Sequence, residues 1–267
     1  MEDAIIRVTD LSVLFDNASA LAAVSVSIAP GKITVICGAN GSGKSTLLRS
    51  MARLQAPSQG TVFFEGTDIS RLRRMDLARK IAVLGQMPEV PAGLTAEELV
   101  ENGPHPHRRL FSRLGREDQR FIEDAIAQVG LQYLRHRHVA SLSGGERQRA
   151  WVALALAQNP TVLFLDEPTN FLDIRHQSEL LSLLKKLNRE RALTIVAVLH
   201  DLNQVIELAD HVILMREGRV MTTGEPATVF TKPHLKQAFD FEIDITRHPD
   251  LPIPFCLPRW VQHRDRP

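Results

Sequence analysis

The segment Gly38-Ala39-Asn40-Gly41-Ser42-Gly43-Lys44-Ser45-Thr46 gathers, at close spacing, the residue types that phosphate chemistry needs. Its glycines let the backbone curl so that successive N–H groups point at an anion. Lys44 brings a mobile positive charge to β and γ phosphates, and Ser45 offers a hydroxyl to Mg²⁺. Every required position of the Walker A pattern is filled. Asp166-Glu167 ends the apolar run Val162–Leu165. At the carboxyl end of a buried strand the first acid can hold Mg²⁺ through water, and the second can polarise an attacking water as general base. Alone, the acidic pair also suits the dipole of a helix starting at Pro168 or soon after. Beside a phosphate loop it gains a chemical meaning.

Leu142-Ser143-Gly144-Gly145-Glu146 is a second Gly-rich segment, leading into a helix that is expected to start near Glu146. A helix N-terminus has unpaired N–H groups and a partial positive charge, so it suits an anionic ligand. Two such cradles in one chain imply that ATP is held from two sides, as in a motor subunit rather than a simple kinase. His200 follows the apolar run Ile195–Leu199, and Gln86 follows Ile81–Leu84. His200 either touches the γ-phosphate and holds the water or Glu167, or it is a surface histidine capping its strand or the next helix. Gln86 either reaches Mg²⁺ and the water, or is a loop amide.

The elements around these residues follow from pattern. Leu11–Phe15, Val24–Ile28 and Lys32–Cys37 read as strands, with Pro30-Gly31 as a turn. The last of them runs into the phosphate loop, and Lys44–Leu54 continues as a helix. Thr61–Phe64 and Ile81–Leu84 are further strands, flanking a basic stretch at Arg71–Lys80 that reads as a solvated helix face. Thr95-Ala96-Glu97-Glu98 is a capping box opening a helix through Val100, and Arg116–Val129 has helical periodicity ending at Gly130. Strand Thr161–Leu165, helix Ile174–Asn188, strand Thr194–Leu199 and helix Leu202–Leu208 alternate, which implies a parallel sheet. Val212–Met215 and Arg219–Thr223 read as a hairpin joined through Glu217-Gly218, and the Pro-rich tail from Pro249 onward reads as irregular structure.

Composition narrows the partners. With 32 basic and 31 acidic residues the charges nearly cancel, which argues against a nucleic-acid-binding surface. Cys37 and Cys256 are the only cysteines, so there is no disulfide framework and no Cys-rich zinc site, which fits a reducing cytoplasm. No signal peptide is visible, and the longest apolar run, Ala192–Leu199, falls far short of a bilayer crossing. Any membrane role is therefore expected to be borrowed from a partner. His105 and His107, with prolines around them, invite a metal reading, but no Cys, third His or acid lies at ligand spacing. Together with Arg108 and Arg109 they read as a solvated loop.

The phosphate loop, Gln86, Leu142–Glu146, Asp166-Glu167, Leu172-Asp173 and His200 stand in the order seen in ATP-binding-cassette (ABC) ATPases, which the chain resembles over residues 5 to about 225. The resemblance implies that Gln86 is the Q-loop, His200 the switch histidine, and Asp173 part of the D-loop that crosses a dimer interface. It also places Phe15 where the family stacks an aromatic ring on adenine, usually with Tyr. Asn170-Phe171-Leu172-Asp173 departs from the commoner Ser-Ala-Leu-Asp. The implied assembly is a head-to-tail homodimer in which ATP on Gly38, Asn40, Gly41, Gly43, Lys44, Ser45 and Thr46 of one copy is closed over by Ser143, Gly144, Gly145 and Glu146 of the other. Mg²⁺ would fall to Ser45, Gln86 and Asp166, and catalysis to Glu167, His200 and Gln86.

The implied fold is α/β, a P-loop NTPase with an N-terminal antiparallel β subdomain, a parallel-sheet core and a helical subdomain inserted at about residues 87–160. The ATPase domain would span residues 1–230, with 231–267 as a C-terminal extension. The stretches Ser143–Trp151, Leu172–Gln177 and Val198–Gln204 look like those of importer ATPases for ferric siderophores, haem and vitamin B12, the ferric-hydroxamate type above all. Where that branch often has Gly-Arg-Tyr-Pro, this chain reads Asn102-Gly103-Pro104-His105. The partners so implied are integral-membrane permease subunits and, indirectly, a substrate-binding protein, with this chain peripheral on the cytoplasmic face of the inner membrane.

Overall fold

The structure is a computed structural model, and it describes residues 4–16, 18–85, 93–107, 114–247 and 254–259. Strands β1 (Ile6–Phe15) and β2 (Ala18–Ile28) form an antiparallel pair, followed by β3 (Ile33–Gly38) and helix α1 (Lys44–Met51). Next come β4 (Gln59–Phe64), β5 (Thr67–Asp68), α2 (Arg74–Ala78) and β6 (Ile81–Leu84). Helices α3 (Ala96–Val100), α4 (Arg116–Gln128) and α5 (Gly144–Ala157) then precede β7 (Val162–Asp166). The chain continues through α6 (Ile174–Arg191), β8 (Thr194–Val198), α7 (Leu202–Leu208), β9 (His211–Arg216) and β10 (Arg219–Gly224). It closes with α8 (Pro226–Val229), α9 (Lys232–Phe239), β11 (Ile243–Arg247) and β12 (Pro254–Pro258).

Two sheets carry the molecule. One is antiparallel, in the order β2-β1-β4-β5; the other has six strands in the order β10-β9-β3-β8-β7-β6. In the second sheet β9, β3, β8, β7 and β6 are parallel, and β10 folds back on β9 through the expected hairpin. Strand alternation sorts its side chains between two layers. Val35, Cys37, Leu163, Leu165, Ile195 and Ala197 pack with the helices on one face. Ile36, Val162, Phe164, Val196 and Val198 pack with α1 and the antiparallel sheet on the other. Both faces are therefore covered, and the strand ends are where polar groups can be reached. Parallel order brings the carboxyl ends of β3, β7 and β8 side by side: Ile36, Asp166 and Val198 stand level, and β3 continues two residues to Gly38.

Several expectations change. β1 starts at Ile6 rather than Leu11, because Arg7 and Thr9 are exposed polar residues on the outer face of a longer, bulged strand. α1 stops at Met51, before Arg53 turns left-handed at φ 58°. The tail is not irregular throughout: β11 and β12 form an antiparallel hairpin, with Pro254 and Pro258 at the strand termini, where a missing N–H costs least. Helix α9 was not expected. Its signal is Thr231, whose hydroxyl accepts from His234 N, followed by Pro233 in the first turn.

Candidate active site

The phosphate loop is pre-shaped. Gly38, Gly41 and Gly43 hold positive φ, and a Cβ on Gly43 would stand 2.6 Å from Ala20 O. Only glycine lets the loop turn so close to β2. The turn between β9 and β10 supports it from below, since Gly218 N donates to Ser42 O at 3.1 Å and Ala22 N to Gly218 O at 2.9 Å. Lys44 folds back over the loop and donates from Nζ to the carbonyls of Gly38 at 3.0 Å and Ala39 at 2.9 Å. Burial pulls the pKa of its ammonium down, opposed chiefly by the charge of Glu167 and also by that of Asp166. A phosphate would relieve that cost by supplying a counter-charge. Cys37, immediately before the loop, is fully buried and its thiol is pushed up to about 12.

Ser45 is the second residue of α1, and its hydroxyl donates to Asp166 Oδ1 at 2.7 Å. Burial raises the Asp166 carboxyl above the usual range, with the Ser45 bond opposing. A hydroxyl and a desolvated carboxylate converging beside a phosphate cradle are the oxygen donors that Mg²⁺ takes when phosphates complete its shell. Among the described residues no group of three or more His, Cys, Asp or Glu side chains forms an all-protein metal cage.

Glu167 leaves β7 in a left-handed conformation, φ 55°, with its N–H donating to Val198 O at 3.2 Å. A side chain this large in that region is uncommon and is held by its surroundings. Its two carboxylate oxygens are engaged from opposite sides: Oε1 meets His200 Nε2, and Oε2 accepts from Asn170 Nδ2. Asp201, not His200, caps α7, accepting from Asn203 N at 2.7 Å and Gln204 N at 3.3 Å. The imidazole is left to the acid.

Ser143 caps α5, accepting from Glu146 N at 3.3 Å, while Glu146 Oε2 accepts from Ser143 N at 2.8 Å. This reciprocal capping box starts the helix at Gly144, two residues before the expected start. The Ser143 N–H, then its hydroxyl, hold the Glu146 carboxyl below its usual range. Asp173 caps α6, accepting from His176 N at 2.9 Å and meeting His176 Nδ1 at 2.9 Å. His176 lies flat against α5: a Cβ on Gly145 would be 2.1 Å from its Cδ2. Ser143–Glu146 and Asp173 thus form one unit.

Within one chain, no hydrogen bond or ion pair among the described residues joins that unit to Gly38–Thr46. Phe15 is 46% exposed and pairs with Ala18 at the end of β1, close to the stretch of β2 that crowds Gly43. Gln86 lies outside the described residues, as do Arg108 and Arg109. Asn40, Gly41 and Thr46 stand in the loop and the first turn of α1. Asn170, His176 and Gln177 were not expected to take part. Asn170 stood out only as a departure from the commoner sequence, and His176 and Gln177 only as part of the stretch Leu172–Gln177 that looks like the importer ATPases.

Comparison with known proteins gives a consistent picture. A family model described as "ABC transporter" matches residues 21–170. The iron(3+)-hydroxamate import ATP-binding protein FhuC of Bacillus subtilis (strain 168) is 42% identical over 88% of this chain and 87% of its own. The ferric enterobactin transport ATP-binding protein FepC of Escherichia coli (strain K12) is 41% identical over the same shares. Among solved structures, the dimeric bacterial ABC transporter cassette MJ0796 superposes with a TM-score of 0.72 at 28% identity, covering 83% of this chain and 98% of that one.

Proposed function

The chain belongs to the ABC transporter family, as an ATP-hydrolysing subunit, and we propose that it drives an importer of ferric siderophores. The observation that carries the catalytic part is the meeting of Glu167 and His200 where β7 and β8 end beside the phosphate loop. The cargo is supported by the relatives, whose names give ferric hydroxamate and ferric enterobactin. Among the described residues no helix is long and apolar enough to cross a membrane. The reading assigns the translocation path to permease subunits, with a substrate-binding protein as the outer receptor and this chain on the cytoplasmic face of the inner membrane.

In this reading the N–H groups of Gly38–Gly43, with Asn40 and Gly41 among them, and of Thr46 surround the phosphates, while Lys44 exchanges its two carbonyl partners for phosphate oxygens. Phe15 offers a ring to adenine. Mg²⁺, which Ser45, Gln86 and Asp166 would hold, would neutralise phosphate charge. Glu167 takes the proton from the attacking water, and His200 with Asn170 fixes its carboxylate for that task.

Ser143, Gly144, Gly145 and Glu146 serve ATP bound by a second copy, since no hydrogen bond or ion pair among the described residues ties them to the loop of their own chain. Phe171 and Ile174, 92% and 85% exposed, flank Asp173 and supply apolar surface for that partner. Residues 1–230 act as the ATPase domain, with the helices inserted at about 87–160 facing the permease and 231–267 as an extension.

The experiment is uptake of labelled ferric siderophores, haem and cobalamin by cells carrying wild-type or Lys44→Ala protein beside its own permease. Loss of siderophore uptake alone supports the proposal. Loss of haem or cobalamin uptake instead reassigns the cargo, and no loss with any of the three rejects an importer of this branch.

A further inference from the structure

The turn after Glu167 is held by a side chain that takes no part in the chemistry. Gln177, in the first turns of α6, donates from Nε2 to Leu172 O at 3.1 Å and to Thr169 O at 3.3 Å. Those carbonyls bracket Asn170, whose Nδ2 reaches Glu167 Oε2. Because both Gln177 donor hydrogens face carbonyls, its Oε1 must accept, and it does so from Gln204 Nε2 on α7 at 2.9 Å. That orientation leaves Gln204 Oε1 buried without a partner among the described residues, so the pair is arranged for the turn rather than for its own saturation.

The neighbouring residue on α7 extends the connection. Asn203 clamps the backbone of Cys256 in β12 from both sides: its Oδ1 accepts from Cys256 N at 2.9 Å, and its Nδ2 donates to Cys256 O at 3.2 Å. Cys256 is 3% exposed and sits in the same core as β3 and α7. An unbroken route thus runs from the C-terminal hairpin through α7 and α6 to the turn beside the acid. α7 is also the helix that begins directly after His200 and Asp201. Asn170 and His200, which engage the Glu167 carboxylate, are therefore anchored by elements this route fastens together.

Taking Glu167 as the general base, as proposed above, we propose that Gln177 is a positioning residue for ATP hydrolysis, carrying the grip of the C-terminal hairpin on α7 to the turn that presents Asn170 to Glu167. Small displacements of a base cost rate rather than affinity, since nucleotide binding is made elsewhere, at the phosphate loop. Truncating the hairpin's contact at Asn203 should act in the same direction but less strongly, because it lies one step farther from the turn.

The test uses the full-length chain with three substitutions: Gln177→Glu, which keeps length but loses both donors to the turn; Asn203→Asp, which loses the donor to Cys256 O; and Glu167→Gln as reference. Steady-state Mg-ATP hydrolysis and amide hydrogen exchange of the nucleotide-free protein are measured on each. Gln177→Glu is expected to lower kcat by about tenfold with KM for ATP unchanged. Exchange should quicken at Asn170–Asp173 while β7 stays protected, and Asn203→Asp should give a smaller change of both kinds. Should Gln177→Glu fail to fold, Gln204→Leu, which removes the donor to Gln177 Oε1, carries the same expectation.

Unchanged kcat with unchanged exchange in Gln177→Glu overturns the positioning role. So does a general rise in exchange across β7 and β8, which would mark Gln177 as merely structural. If Glu167→Gln itself keeps full turnover, the reading of the base fails instead, whatever Gln177→Glu does to the exchange of the turn.

Discussion

Ser45 and Asp166 stand 121 positions apart in the chain, yet the hydroxyl of one donates to the carboxylate of the other at 2.7 Å. The contact joins the first residues of α1 to the last residue of β7, and it exists because β3, β8 and β7 run parallel with their carboxyl ends on the same side. Burial of that carboxylate favours its neutral form in the unliganded chain. A carboxyl whose folded pKa is raised adds stability below its unfolded pKa, and that contribution is lost as pH rises through the folded value. Wherever Asp166 is ionised in the folded chain, its burial is therefore a cost.

It follows that Asp166→Asn should raise the melting temperature of the nucleotide-free protein at neutral pH while abolishing Mg²⁺-dependent ATP hydrolysis. Thermal melts with and without Mg-ADP check both halves. Mg-ADP should stabilise the wild type well beyond metal-free ADP, and that increment should vanish in the variant.

Glu167→Gln should leave ATP binding intact and lower turnover by about 10²-fold or more, the range that general-base removal spans. With hydrolysis blocked, the nucleotide-bound protein should run as a dimer on gel filtration. Wild-type turnover in this variant would remove Glu167 from the role of base.

Ser143→Ala should cost about 1 kcal/mol of stability through loss of the N-cap, measured by denaturant unfolding, and it should reduce ATPase activity as well. The reciprocal partner adds a pH signature. Glu146 has a depressed folded pKa, so its contribution is present above the unfolded carboxyl pKa and is lost as pH falls through the folded value. Glu146→Gln should flatten that acid limb of the stability profile and leave the neutral region little changed in slope.

Gly145→Ala places a methyl group where the His176 ring lies, with 2.1 Å to Cδ2. Overpacking of this kind costs about 1–3 kcal/mol. The imidazole should be driven off Asp173, lowering ATPase activity. The double substitution Gly145→Ala, His176→Ala should recover most of the stability but not the activity, a separation that unfolding curves and turnover assays on the same samples will show.

The parts of this site that were legible in the sequence are those made by neighbours along the chain. Gly38–Thr46 forms its loop from its own glycines, and Thr95–Glu98 makes the capping box its spacing predicts, with Glu98 N donating to the Thr95 hydroxyl at 3.2 Å. The same spacing at Ser143 and Glu146 was overshadowed by the two glycines between them, which read as loop, so the helix start was placed two residues late. Strand order was not legible, since nothing local says that β3 lies between β9 and β8. Likewise, Gln177 meets Gln204 only because α6 and α7 pack on one face of the sheet. The tail misled because its prolines suggested irregular chain, whereas they occupy strand termini.

The two closed thiols make the protein convenient for labelling. Burial pushes Cys37 up to about 12 and Cys256 up to about 11, so neither supplies thiolate to a maleimide at neutral pH. As the chain has no other cysteine, the native protein is expected to give little background. A probe attached through Phe171→Cys, beside Asp173, or through Tyr133→Cys, whose native side chain is 99% exposed, would report from one known position. Paired dyes or spin labels on two copies could then time the approach and parting of subunits through each round of ATP, without first stripping the protein of its own sulfur.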